Sequence, residues 1–598
     1  MKKYIISLMA AALCLASCDD WMNLSPADKL TPDSYFRTET DLKMFSNSFY
    51  SSCFQTNYFR NQSDVIIESS LSDPLRGGTS REVPNSGGGW SFTLLRKINE
   101  MLANMDKCEN ETVRAEYTGL ARFFRAYYYY LKVRRFGDYP WIDHVVGSDE
   151  EATLYAPRDS RETVMTHMIE DIDAAIASLP ESSSVYRINK YTALAVKAKF
   201  CLFEGSWRKY HGNTGADGAA YAHDADYYYG LAAAAAQEIV SSGKYRLYST
   251  GKPAEDYMNF FMSTDAIAGE TILAVDYDNS IGIYHNATWY GIKSSAGRAG
   301  FTKKFINTYL MKDGTPFTSK PGYETMTFTQ EVVDRDPRLS QTIRTPGYRR
   351  VGKTTTVPDG PEFENSITLY QTIKYVQPMD LGADGYEHSF SDMPIIRYAE
   401  ILLILAEAKA ELGTLTQKDL DNTIGLIRAR VGMPGLDMAT ANAAPDAYLS
   451  SPSTGYRNVT GANKGVILEI RRERTIELAQ EGDLRWYDLM RWKEGLCIDQ
   501  DLYGMYFPGP GEYDLNGDGA AEYCLYSGTK PSTTASFVLK IGEDIILSEG
   551  TKGYVDPAKG ITHKFNEERD YLYPVPINER SLNPNLTQNP GWNDGLDF

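Results

Sequence analysis

Two short stretches of the chain bring aromatic rings and polar groups close together. In residues 85–90, Asn85 and Ser86 precede three glycines and Trp90; in residues 284–290, Tyr284, His285, Asn286, Thr288, Trp289 and Tyr290 crowd around a single alanine. An indole or phenol offers a flat apolar face with a polar edge, and amides, hydroxyls and imidazoles supply directed hydrogen bonds. That combination suits a sugar, whose CH faces stack on rings while its hydroxyl rim needs donors and acceptors. Trp289 and Tyr290 are the first candidates for such a platform, then Trp90 and Tyr284, with His285 and Asn286 as polar partners. A ring that caps the core is an equal reading for each. The tyrosine runs 127–130 and 227–229 fall in helical patterns and read as packing between helices.

A second constellation carries oxygen ligands. Asp514, Asn516 and Asp518 alternate with Leu515 and Gly517, and Gly519, Ala520 and Glu522 follow. Alternating oxygen donors with glycine at the turn form the first half of a calcium loop. The bidentate Glu expected at the twelfth position is Leu525 here. Two readings stand: a structural Ca²⁺ held by Asp514, Asn516, Asp518, Glu522 and the Ala520 carbonyl, or a plain turn rich in Asp and Gly. No other cofactor is required by any motif.

Residues 347–354 fit the spacing of a phosphate-binding loop, from Gly347 to Gly352, Lys353 and Thr354. The context is wrong, because Thr355, Thr356, Val357 and Pro358 cannot open the helix such a loop needs. The seven histidines are scattered, and no H-E-x-x-H or G-x-S-x-G is present, so nothing positive supports an enzyme. Residues 466–494 interleave Leu468, Ile476, Trp486, Leu489 and Trp492 with Glu469, Arg471, Arg472, Glu473 and Arg474. Charges of both signs three and four apart pair along a helix, so this reads as a core helix pair laced with salt bridges.

The elements that must position these residues follow from composition and periodicity. The chain has 598 residues, 42% hydrophobic and 23% charged, as in an ordinary globular protein. Its formal net charge of −18 argues against a phosphate backbone as partner, since nucleic-acid binding needs a basic face. Lys2 and Lys3 precede an apolar stretch that ends in Leu15, Ala16, Ser17 and Cys18. The stretch is shorter than the ~20 residues of a membrane span, so residues 1–17 read as an export signal. Small residues before a cysteine suit lipoprotein processing, which makes Cys18 the lipid-bearing first residue of the mature chain; several acyl chains there suffice for stable anchoring. The remaining cysteines, Cys53, Cys108, Cys201, Cys497 and Cys524, are widely spaced and signal neither a disulfide framework nor zinc. They read mostly as buried thiols, with a bridge between Cys497 and Cys524 sterically possible.

Apolar residues at spacings of three and four predict helices over residues 99–136, 160–179, 189–204, 224–242, 395–412 and 419–430. Alanines on their faces let partners approach closely. Helix pairs of this length look like tetratricopeptide units, about four of them. Between 252 and 392, and from 497 to 563, Gly, Pro, Asp and Thr predict loops with short strands. The expected organisation is a mainly α body over 18–598: a helical-repeat part to about residue 250, a loop-rich insertion over about 251–392, and a helical and loop-rich part from about 393.

Several ordered markers then carry a resemblance. They are Cys18 to Trp21, Leu24 to Pro26, Pro32 to Phe36, Asp336 to Leu339, Arg397 to Glu400, Arg471 to Arg474, Arg485 to Leu489, Tyr571 to Pro576, and Asn583 to Gly591. Together the chain resembles the SusD/RagB family of Bacteroidetes surface lipoproteins for nutrient uptake. The resemblance implies a SusD-like body of tetratricopeptide-like helix pairs, anchored through Cys18 in the outer membrane and facing outward, with Asp19 and Asp20 as the surface-export signal. It implies a SusC-like TonB-dependent transporter as partner, on which the lipoprotein sits as a lid, and an oligosaccharide as cargo. Peptide cargo, or a purely structural adaptor role, are the alternatives it leaves.

Overall fold

The computed structural model describes residues 35–54, 57–215 and 218–598. Cys18, Asp19, Asp20 and the export signal lie outside the described residues. The scaffold begins with α1 (Glu39–Cys53), α2 (Thr93–Ala103), α3 (Glu111–Phe136), α4 (Arg161–Ser178), α5 (Lys190–His211) and α6 (Ala225–Ser241). Side-chain caps fix most of their starts. Thr38 and Asp41 form a capping box on α1, Asn110 accepts from the first turn of α3, Ser160 caps α4, and Asn189 with Thr192 caps α5. Each such cap replaces an orphaned backbone partner and is worth about 1 kcal/mol. The Asn110 cap explains one correction: the helix expected over 99–136 is two helices, separated at residues 104–110.

The helices stack in neighbouring pairs, α1 on α2, α3 on α4 and α5 on α6. Small residues set the spacing. A Cβ on Gly205 of α5 would lie 2.9 Å from the Tyr229 ring of α6, so only glycine admits that approach. Downstream come α7 (Ala287–Ile292), α8 (Tyr398–Glu411), α9 (Ile424–Arg430), α10 (Lys464–Glu477) and α11 (Leu484–Arg491); α8 packs on both α6 and α10. Among the described residues no helix is long and apolar enough to cross a membrane.

Strands are short. Ile66–Ile67 (β1) pairs antiparallel with Gly300–Phe301 (β3), and Thr271–Val275 (β2) with Met393–Arg397 (β4). Tyr506–Phe507 (β5) pairs with Gly553–Tyr554 (β9); Gly511–Tyr513 (β6), Tyr523–Tyr526 (β7) and Phe537–Lys540 (β8) form a three-stranded sheet whose last pair is parallel. Residues 395–397, expected as helix, belong to β4, where a buried run of five pairs with β2. The helix expected over 419–430 breaks at Thr423, which separates Gln417–Asp421 from α9. A large apolar core runs through the helical stack, and a second cluster around Phe301, Phe305, Tyr309, Tyr370, Met505 and Tyr523 underlies the loop-rich part.

The charged stretch forms α10 and α11, separated by a turn at Gln480 and Gly482, both at positive φ. Its charges face inward. Arg397 reaches Glu477, Glu481 and Glu270 at 2.7, 2.7 and 2.9 Å, Arg430 reaches Glu477 at 2.6 Å, and Arg338 bridges Asp336 and Glu473 at 2.7 and 2.6 Å. Burial alone would raise the Glu477 carboxyl, but Arg430, Arg397 and Arg338 together hold it well below the ordinary range. The Asp336–Leu339 and Arg397–Glu400 markers thus belong to one buried ion network. Cys53, Cys108, Cys201, Cys497 and Cys524 are all buried free thiols, so Cys497 and Cys524 do not pair; the Cys497 thiol instead donates to the Gly455 carbonyl. Residues 347–358 form turns with no helix after Lys353, unlike a phosphate loop.

Candidate functional site

Two loops of the insertion meet at one face. Residues 276–286 form a small hairpin, bridged at Asp278 and Ile283, that leads into α7; residues 378–390 form the other loop. They are joined by a two-way backbone bridge, with His285 N donating to Ser389 O at 2.8 Å and Ser389 N to His285 O at 3.1 Å. The Ser389 hydroxyl accepts from Thr288 N at 3.1 Å, and Asn286 Oδ1 accepts from Glu387 N. Beneath the bridge His285 is buried: its Nδ1 accepts from Ala287 N, and its Nε2 donates to Ser391 O at 2.8 Å. Burial lowers its pKa to about 4, outweighing the Ser391 carbonyl that would raise it, so the imidazole is neutral and works as a brace.

The braced loops hold aromatic side chains at the surface. Trp289 is half-buried on α7, with the Tyr386 ring edge-on at 5.3 Å and 79°, and Tyr386 is 58% exposed. Beside them Tyr284 lies nearly parallel to His388 at 6.0 Å and 17°, while its hydroxyl donates to Asn279 Oδ1 at 2.9 Å. The face therefore combines apolar ring surfaces with the amides of Asn279 and Asn286 and the exposed carboxylate of Glu387. Such an array can stack a pyranose ring and hydrogen-bond its rim without chemistry on it.

The other expected platform residues are elsewhere employed. Tyr290 is buried at 1% exposure; its hydroxyl donates to Glu68 Oε1 at 3.0 Å and its ring packs on Phe59, so neither face is free. The reason is helical: in α7, Trp289 and Tyr290 point about 100° apart, and only one can face outward. Trp90 is buried against Phe136 and Tyr139 with centroids at 5.0 and 4.5 Å, and caps the core. His285 is likewise structural. Tyr386, Glu387 and His388 were missed because they follow Asn286 by about a hundred residues in the chain; the signal available was Gly385 opening another polar–aromatic loop.

The oxygen-rich loop stands between β6 and β7. Carboxylate oxygens of Asp514, Asp518 and Glu522 lie within 4.8 Å of one another. Glu522 Oε2 accepts from Leu515 N and Asn516 N, Asp514 accepts from Gly517 N and Gly519 N, and Ala520 N donates to Asp518 Oδ1. Burial first, then Asp514 and Asp518, raises the Glu522 pKa. A convergent set of hard oxygens fits Ca²⁺, which would relieve that repulsion. Leu525 is buried in β7 and offers nothing.

Comparison with known proteins gives consistent matches. A sequence model described as the SusD family matches residues 269–592, and one described as starch-binding associating with outer membrane matches residues 91–202. The SusD-like protein P2 of Formosa agariphila is 25% identical over 547 residues, covering 88% of this chain and 96% of that protein. Among solved structures, a SusD-like protein of Bacteroides fragilis superposes with a TM-score of 0.67 at 22% identity, covering 95% of this chain and all of that one. A SusD-like carbohydrate-binding protein of the same species gives 0.65 at 21% identity over 92% of this chain and 99% of its own. A laminarin-binding SusD-like protein gives 0.53 at 17% identity, covering 93% of this chain and all of that protein.

Proposed function

Because the chain belongs to the SusD family, we propose that it captures a glycan at the outer membrane and hands it to a SusC-like TonB-dependent transporter. The observation that carries the reading is the braced aromatic face of Trp289, Tyr386, Tyr284 and His388. Relatives described as carbohydrate-binding and laminarin-binding support the cargo class, and the description that couples starch binding to the outer membrane supports the location. The proposal is capture without turnover, with Cys18 as the lipid anchor and Ca²⁺ at residues 514–522 as a structural accessory.

Affinity electrophoresis of the chain from residue 19 through gels containing different polysaccharides tests the cargo. Retardation by one glycan, lost in Trp289→Ala, is the expected result; release of products on incubation with that glycan would replace capture by hydrolysis. A Cys18→Ala variant that stayed on the cell surface would remove the anchor assignment, and failure of a barrel transporter to co-purify with the anchored chain would remove the partner.

A further inference from the structure

A cleft whose lining shares no residue with the aromatic face has a different chemistry. It has a volume of about 540 Å³ and lies between the C-terminal end of α1, the C-terminal half of α3 and the start of α11. Its charged lining is Lys132, Arg134, Arg135 and Asp483, with Tyr127 and Tyr487 among its rings. Asp483 is fully engaged: its two oxygens accept from Arg134 Nη1 and Nη2 at 3.0 and 2.8 Å. Among the described residues Lys132 and Arg135 have no carboxylate partner. Lys132 Nζ donates to the Gly89 carbonyl at 2.6 Å and sits over the Tyr128 ring at 4.8 Å; Arg135 Nε donates to the Gly88 carbonyl at 2.8 Å and stacks on Tyr573 at 3.7 Å. Two cations three residues apart on one helix face repel each other, and the one carboxylate that lines the cleft, Asp483, is held by Arg134. Burial, with the Arg135 charge added, draws the Lys132 ammonium down to about 8, and the Cys53 side chain opposes this weakly.

This concentration of positive charge stands out on a chain of net charge −18. An anion entering this concave space would relieve the repulsion between the two cations through charge-assisted hydrogen bonds. The volume accommodates one or two sugar rings.

We propose that this cleft binds the anionic substituent of a charged glycan, a carboxylate or sulfate ester, with Lys132 and Arg135 as its counter-ions. The inference rests on the glycan-capture reading and narrows its cargo to an acidic polysaccharide.

The test compares wild type, Lys132→Gln and Lys132→Arg in gels containing polygalacturonate, dextran sulfate or neutral dextran. Retardation by a charged gel is expected to fall about tenfold or more in Lys132→Gln, as for a lost charge-assisted hydrogen bond, and to be retained in Lys132→Arg. Retardation by neutral glycans alone, or by charged ones equally in wild type and Lys132→Gln, overturns the proposal while leaving glycan capture in place. If no gel retards the chain, melting with free galacturonate and with sulfate decides. A rise in Tm that Lys132→Gln lacks upholds the anion site and discards polysaccharide capture. No rise with either anion overturns both.

Discussion

The buried network around Glu477 and the aromatic face around Trp289 use polar groups in opposite ways. In the network, Arg338, Arg397 and Arg430 turn charges inward, and each finds several carboxylates within 3.4 Å. At the face, backbone bridges and the neutral His285 take up the hydrogen bonds, leaving Trp289, Tyr386 and Glu387 unspent. The charged helix has the denser chemistry in sequence, yet it is the scaffold. Groups left without internal partners are the ones free to meet a ligand, because a satisfied group has nothing to offer one.

The sharpest way to break this contrast is to remove one ion from the network. Arg397→Met would leave Glu270, Glu477 and Glu481 buried with a missing partner. Loss of one member of a buried pair costs about 3–5 kcal/mol, so denaturant unfolding should shift by most of that amount. A change below about 1 kcal/mol would mean that water reaches the network and that it is not the scaffold described. By contrast, Trp289→Ala should leave unfolding within about 1–2 kcal/mol of wild type, since the ring is half-exposed. It should cost about 2–4 kcal/mol in glycan affinity, as a central aromatic anchor does. Tyr386→Ala, with the edge-on ring, should cost about 1 kcal/mol of affinity. Isothermal titration with the retarding glycan reads both, and equal losses of stability and affinity would erase the distinction between face and core.

Much of the scaffold was legible beforehand, and the site only in part. Helices α4 and α6 fall within a residue or two of their expected ends because Ser160 and Asp224 cap them and Pro180 and Gly243 follow. Residues 395–397 were misread because an apolar run buried on both sides has no periodicity that separates strand from helix. At the site, spacing placed Trp289, Tyr284 and Asn286 in one loop, but it carried no information on which ring of the pair 289 and 290 faces out. That choice belongs to Glu68 and Phe59, more than 200 residues upstream, which claim Tyr290 for the core. The partner loop with Tyr386 and His388 is a tertiary pairing with no local signature.

The two regions should also separate on the pH axis. His285 has a folded value of about 4, below the ordinary 6.5, so its contribution is complete above pH 6.5 and is withdrawn as pH falls toward 4. Between pH 7 and 5 that amounts to about 2 kcal/mol of stability. Glu477 is depressed as well, but for a carboxyl the loss begins only below its ordinary value of about 4.3. Mild acid should therefore loosen the aromatic face before the ion network yields. The protection of the Ser389 and His285 amides, taken relative to intrinsic exchange rates, should fall between pH 7 and 5 while that of α10 stays high, and His285→Gln should flatten the dependence. Simultaneous loosening of both regions would show that the bridge has no separate stability.

The smallest expected effect concerns the loop at residues 514–522, which shares features of both regions: its carboxylates converge as in the network, but Asp518 is exposed and the other two are half-buried. Backbone amides already satisfy much of Asp514 and Glu522, so an ion would add to a formed turn and not create one. At a Ca²⁺ concentration ten times its Kd the gain is about 1.4 kcal/mol, a rise in Tm of about one degree for a chain of this size. Asp518→Asn should abolish that rise and leave the metal-free Tm unchanged. Because β7 carries Leu525 and Tyr523 into the second apolar cluster, Ca²⁺ should also slow proteolysis between β6 and β7. If neither melting nor cleavage responds to Ca²⁺, the convergent oxygens are a turn held by its own amides, and the loop falls on the satisfied side of the comparison.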